Sequence, residues 1–450
     1  MAYVAEALHP PRAVAVRSRA DDMDFIIRIF TVEMVAVVVT QKFAVPIGSA
    51  EASQVALALL IHAGVLGILA VRGLLRVSAL SLLLWCAFAF VAGVGFLVVG
   101  SVSYSFMSLL LLLIISTFYL FRIELDREHY LKWLKSFQMI AVGAASLVFL
   151  NWLLQIVGIG MFDLESHMPH RLVYLHYNYI QPIHWGSPWM KPNAFFFLET
   201  SHISQFLAMA IIIELSCFFR MRYLAFLGAA LMTTFGGTGM LMLLASVPWI
   251  LGRIPKGMIV AGLLALPVTY YTANSIGLLD NMKSRSTEFS ARGTSGEMRF
   301  VRPMEAVVQA MAGDPIDLLF GKGAGSMPKG SSIRGAHFAW APYAKVFVEY
   351  GIIAFTIWAL LIVTAMFGHG IPFAISWAVF LQYQFMNGSL NVPVHTIYAC
   401  LLAASIIVTK ERGSAESSWV KAKEREPVAE PKQWPRPSLG LGLRGGKRST

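Results

Sequence analysis

Residues 77–99 read VSALSLLLWCAFAFVAGVGFLVV, a run without a single charged side chain. At 1.5 Å of rise per residue a helix of this length crosses about 30 Å, the thickness of a bilayer's hydrocarbon core. Similar runs recur on both sides of it. They lie at about 25–46, 54–71, 104–121, 138–160, 196–218, 223–236, 239–252, 257–273, 342–366, 371–387 and 392–409. The expectation is an all-α, polytopic transmembrane protein of about twelve spans, the runs at 223–236 and 239–252 being short enough to form one interrupted pair.

Composition agrees. Hydrophobic residues make up 57% of the 450, charged residues 14%, and the mean hydropathy is +0.64. Soluble domains are nearer one quarter charged. The net charge of +11 sits mainly in short loops and tails, where it reads as a topology signal and not as a nucleic-acid surface. Three cysteines (Cys86, Cys217 and Cys400) in or at the ends of apolar runs are too few for a disulfide framework or a zinc site.

The short loops separate by charge. Arg72/Arg76, Arg122 to Lys135, Arg220/Arg222, Arg253/Lys256 and Lys410/Arg412 fall on one side; loops 47–53, 100–104, 236–239 and 388–391 carry no Lys or Arg. Lys42 is a mild exception. This bias places both termini in the cytoplasm. Residues 1–24 then read as a cytoplasmic tail, 25–409 as the membrane domain and 410–450 as a disordered basic tail. Residues 122–137, with Tyr130, Trp133, Leu134 and Phe137 opposing Glu128, Lys132 and Lys135, read as an interfacial amphipathic helix.

Two long loops remain, about 161–195 and 274–341, both on the outer side. The first holds His167, His170, His176 and His184 among Tyr174, Tyr177, Tyr179, Trp185 and Trp189. Pro169 disfavours alignment of the first two imidazoles and no acidic partner is suitably spaced, so no metal is expected. The aromatics suit either an interfacial belt or a sugar-binding groove. Lys191 and then Glu199 follow at the membrane boundary. A carboxylate there needs a partner or a wet cavity, or else serves as a helix cap.

In the second loop, residues 298–312 carry Met298, Val301, Met304, Ala306/Val307 and Met311 at helical spacing, with Pro303 tolerable only in a first turn. Asp314-Pro315 ends that helix. Arg299 and Arg302 share a face and suit a pyrophosphate, or form a plain solvated face. Gly321-Lys322-Gly323-Ala324-Gly325 is a turn and not a Walker loop. His337 stands where the loop re-enters the membrane, either as a proton acceptor or as a satisfied hydrogen-bonder.

Four segments in order carry a resemblance. They are Phe196-Phe197-Leu198-Glu199-Thr200-Ser201, Thr233-Thr234-Phe235-Gly236-Gly237-Thr238-Gly239, the stretch Arg299 to Gly325, and His337 to Glu349-Tyr350-Gly351. Together they resemble the O-antigen polymerase/ligase superfamily, the Wzy- and WaaL-like membrane glycosyltransferases with a GT-C-like helical fold. The resemblance implies metal- and cofactor-free transfer of a glycan from undecaprenyl pyrophosphate at the periplasmic face of a bacterial inner membrane. It implies His337 as general base or acceptor-orienting residue and Arg299 as diphosphate clamp, with Glu199 and Glu349 supporting. Gly236-Gly237 departs from the family's turn, which often supplies an Arg, so either Arg302, Arg334 or Lys191 carries that charge or the donor is held differently. Implied partners are the lipid-linked oligosaccharide, membrane lipids, a chain-length regulator and a flippase, and no nucleic acid. A ligase, a transporter using Glu33, and a non-catalytic scaffold are the alternatives. Asp22-Met23-Asp24 has the spacing of a metal-binding pair but falls in the expected cytoplasmic tail.

Overall fold

The computed structural model describes residues 18–46, 54–99, 105–162, 167–174, 177, 179–183, 186–257, 267, 271, 296–327, 340–387 and 393–409. It is mostly helical. Thirteen helices are seen among the described residues: α1 (Arg19–Thr40), α2 (Leu57–Val71), α3 (Ala79–Val98), α4 (Phe106–Thr117), α5 (Arg127–Ile156), α6 (Thr200–Ile213), α7 (Met221–Thr233), α8 (Gly237–Leu251), α9 (Arg302–Met311), α10 (Pro315–Phe320), α11 (Pro342–Met366), α12 (Phe373–Leu381) and α13 (Pro393–Ala399). Four are long and apolar enough to cross a membrane: α3, α5, α11, and α6 extended to Phe218. Others, among them α2, α8 and α13, are apolar but shorter. α1 already begins at Arg19, inside the stretch read as a tail.

Local chemistry sets several starts. Ser78, Ser105 and Asp126 each cap a helix, accepting from the N–H of Ser81, Ser108 and His129. Pro303 and Pro342 lie in the first turns of α9 and α11, where a missing N–H costs nothing. Among the described residues four π-helical turns interrupt or extend the helices, at Glu214–Phe218, Glu297–Val301, Gln382–Met386 and Cys400–Ala404.

Among the described residues five short strands accompany the helices. β1 (Ala44–Pro46) and β2 (Gln54–Ala56) pair antiparallel. β3 (Arg76–Val77), β4 (Phe121–Asp126) and β5 (Ile406–Thr409) form one sheet in that order, β4 parallel to β5. This sheet corrects the expected interfacial helix at 122–137. Its first residues are strand, and the rest opens the continuous 30-residue α5. Tyr130, Trp133, Leu134 and Phe137 are fully buried. Tyr130 Oη and Trp133 Nε1 donate to the carbonyls of Leu402 and Leu401 at 2.9 and 2.7 Å, satisfying backbone acceptors in the π turn after α13. An amphipathic pattern cannot distinguish lipid from protein as the apolar partner, and here it is protein.

α6 lies at the centre, against α5, α7, α8 and α12. Its approach to α8 depends on two glycines. A Cβ on Gly236 would stand 2.4 Å from Ser204 Cβ, and one on Gly239 2.3 Å from the Ser204 carbonyl oxygen. Small residues allow such backbone contact where hydrophobic driving force between helices is weak. α7 and α8 are separate helices joined by a tight turn with Phe235 in the left-handed region (φ 55°).

Candidate functional site

The N-terminal turn of α6 gathers the polar groups. Glu199 occupies its N-cap position without capping it. Its Oε2 instead accepts from Arg299 Nη2 at 2.7 Å and from Ser201 Oγ at 3.1 Å. Arg299 arrives from the π turn Glu297–Val301, 100 residues away in the chain. Sequence reasoning left Glu199 between partnered carboxylate and helix cap; the geometry selects the first.

Behind this pair lie two imidazoles that sequence reasoning passed over. His202 of α6 and His395 of α13 are both buried, their ring centroids 4.7 Å apart. His395 Nε2 meets Gln205 Oε1 at 3.1 Å, while the Nδ1 atoms of both rings are buried and lack a partner among the described residues. Gln205 Nε2 donates to Thr238 Oγ1 and to the Met386 carbonyl, each at 3.2 Å. Thr238 Oγ1 donates to the Ser201 carbonyl at 3.3 Å, and Ser204 Oγ accepts from Gly239 N–H at 3.2 Å. The glycine turn at 236–239 thus borders the site but supplies no cation. Two π turns feed the cluster, one with Arg299 and one with the Met386 carbonyl. Such insertions often re-aim groups at functional positions.

From the first long loop, Tyr177 stacks edge-on to His202 at 5.9 Å and adjoins Tyr174 and Tyr179. Burial, with Tyr174 and Glu199 nearby, pushes the Tyr177 phenol well above its usual range, and Arg299 pulls the other way. The expected aromatic loop therefore contacts the site through Tyr177. A separate cleft, lined by Gln155, Gly158, Gly160, Ile180, Pro188 and Trp189, shares none of these residues. No group of three or more metal-ligating side chains occurs among the described residues.

The remaining candidates fall elsewhere. Arg302 Nε donates to Glu297 Oε1 at 2.5 Å, so the two arginines expected to act together each meet a different carboxylate. The Lys191 N–H donates to the Gln181 carbonyl at 2.8 Å, within a fold-back of the first loop. His337 and Arg334 lie outside the described residues.

Glu349 is fully buried in α11, its Oε1 accepting from Lys345 Nζ at 2.6 Å. It sits where two glycine motifs interlock. Lys322 and Gly323 donate backbone N–H groups to the Val348 and Glu349 carbonyls at 2.8 and 2.9 Å. Gly321 (φ 81°) and Gly351 (φ 77°) face each other so closely that a Cβ on either would stand within 2.4 Å of the opposing backbone. The run at 321–325 is thus a turn clamped onto a break in α11, which explains the glycines without invoking a phosphate.

No protein-family model matches this chain, and no curated protein matches it either. Fold and site together define a class: a mostly helical protein with, among the described residues, four helices able to cross a membrane and a buried acid, base and amide cluster at the N-terminal turn of α6.

Proposed function

We propose that this protein is a bacterial inner-membrane glycosyltransferase acting as a polysaccharide polymerase. It joins repeat units carried on undecaprenyl pyrophosphate at the periplasmic face, for O-antigen, capsule or exopolysaccharide. The proposal includes about twelve spans, cytoplasmic termini, and the two long loops facing the periplasm. A ligase that transfers the finished glycan to lipid A-core or protein is the nearest alternative. A chain-length regulator and a flippase are the partners such a polymerase works beside.

The observation that carries the reading is the meeting of Arg299 and Glu199 above the His202–His395 pair. A guanidinium has five N–H donors in a planar fork suited to phosphate oxygens. Glu199 orients that fork and keeps the site near neutrality until an anionic donor arrives. In the transfer step an acceptor hydroxyl attacks the anomeric carbon of the donor sugar. The bond from that carbon to the pyrophosphate oxygen breaks, and the electron pair leaves on the diphosphate. The hydroxyl proton passes to an imidazole, in this proposal His337. Stabilising the leaving charge and accepting the proton are the two tasks of the protein, and neither requires a metal.

A transporter is the second reading, favoured by one observation. Glu33 of α1 and His62 of α2 pair at 2.5 Å, almost wholly buried, in two helices that the sequence leads one to expect as spans. Buried ionisable pairs there often mark ion pathways.

Reconstitution with purified lipid-linked repeat unit tests the proposal. Chelator-insensitive chain growth, lost in Arg299→Ala and His337→Ala with membrane insertion intact, is the expected result. Wild-type polymer from both variants would sink the assigned roles, and proton- or ion-coupled flux of unpolymerised substrate would favour the transporter.

A further inference from the structure

We infer that α9 and α10 form an interfacial helix pair whose outer apolar face is immersed in the bilayer leaflet beside the ends of α3 and α4. The expected single apolar stripe of α9 turns out to be two. Ala306, Val307 and Ala310 face inward and pack with Phe347 and Val348 of α11. Met304, Val308 and Met311, at spacings of four and three, face outward and are 51–57% exposed. Ile316 and Leu319 of α10 extend that outward surface, 53% and 42% exposed. Glu305 and Gln309 form the third, polar side of α9 and are exposed as well. Five large apolar side chains clustered on a segment of otherwise polar loop require a cover.

The position of the segment identifies the cover. α3 has 20 residues and so rises about 30 Å, enough to carry its Val98 end to headgroup level. α10 is docked there: a Cβ on Gly95 would meet the Phe320 carbonyl oxygen at 3.0 Å. The following turn is tied to the start of α4, since Ser105 N–H donates to the Ala324 carbonyl at 2.8 Å. Around these contacts Leu97, Val98, Phe106 and Met107 are exposed by 79, 53, 63 and 55%, as lipid-facing residues of a spanning helix are. The outward face of α9 and α10 continues this belt. A helix with polar, protein-facing and lipid-facing sides is suited to lie in the membrane plane.

The placement has a consequence for Arg299, which precedes α9 by less than one turn. With α9 at the interface its guanidinium lies at headgroup depth, where a lipid-borne phosphate meets it more readily than a soluble one. This consequence rests on the proposed function; the immersion itself does not.

The full-length native protein can be tested in vesicles containing a phosphatidylcholine with a diazirine at the end of an acyl chain. Irradiation and peptide mass spectrometry should find lipid adducts on residues 304–319 at yields within about threefold of those on Phe106 and Met107. Adducts confined to α3 and α4 would overturn the inference. So would protein–protein adducts through 304–319, which would identify a second copy as the cover. A spin label at V308C in a cysteine-substituted chain, compared with one at Q309C, gives an independent reading. Position 308 should favour oxygen over a water-soluble nickel chelate and position 309 the reverse; equal accessibility to the chelate would again reject immersion.

Discussion

α6 carries a carboxylate at each end, and the two are held in opposite ways. Glu214, at the C-terminal end, is saturated by Arg220 only 6 residues on: backbone N–H at 2.6 Å, Nε at 2.9 Å and Nη2 at 2.8 Å. A negative charge there opposes the helix dipole, so the bidentate arginine is needed to hold it. Glu199, at the N-terminal end, has the dipole in its favour and, among the described residues, only one bond from a distant arginine plus one from Ser201. Saturation by a neighbour in sequence makes a structural lock. A single bond across a chain separation of 100 leaves donors for something else.

If that contrast holds, Arg299→Ala should cut transfer about 10²–10³-fold, the scale of losing one charge-stabilising donor, with a smaller fall in melting temperature than Glu214→Ala gives, since Ser201 and the helix N-terminus still hold Glu199. A purified-protein assay beside a thermal melt separates the two readouts; equal losses in both would make Arg299 a second lock. Glu214→Ala should instead cost about 3 kcal/mol of stability by stranding a partly buried Arg220, measured by thermal unfolding in detergent. Gly321→Ala should cost about 2 kcal/mol, from a left-handed φ and a Cβ driven against the Glu349 backbone, read the same way. Asp126→Ala should cost about 1 kcal/mol as a lost cap. Burial raises the Asp126 pKa, but the backbone and ring N–H bonds from His129 outweigh it and leave the carboxyl below its ordinary range. Its contribution is therefore complete above about pH 4 and lost as pH falls through the folded-state value, and the variant should flatten that part of the pH–stability curve.

Much of the helical framework was legible as hydropathy. The stop of α9 before Asp314-Pro315 was readable from backbone chemistry; its start was not, because a π turn carries the helical spacing back to Glu297. The β3–β4–β5 sheet was not, because its short strands lie inside or beside apolar runs that suit either conformation. His202 and His395 were missed for a related reason: a lone imidazole in an apolar run reads as an ordinary core residue. One signal was there. Glu199, Thr200, Ser201, His202, Ser204 and Gln205 crowd polar groups into the opening of a span, which is costly unless they meet partners.

Apolar run lengths and prolines marked most of the helical segments, since those depend on neighbours in the chain. The pairing of Glu199 with Arg299, the stacking of His202 on His395 and the clamp of Gly321 on Gly351 emerged only once the helices were packed. Burial and close backbone approach are properties of the assembled bundle, and no local stretch of residues encodes them.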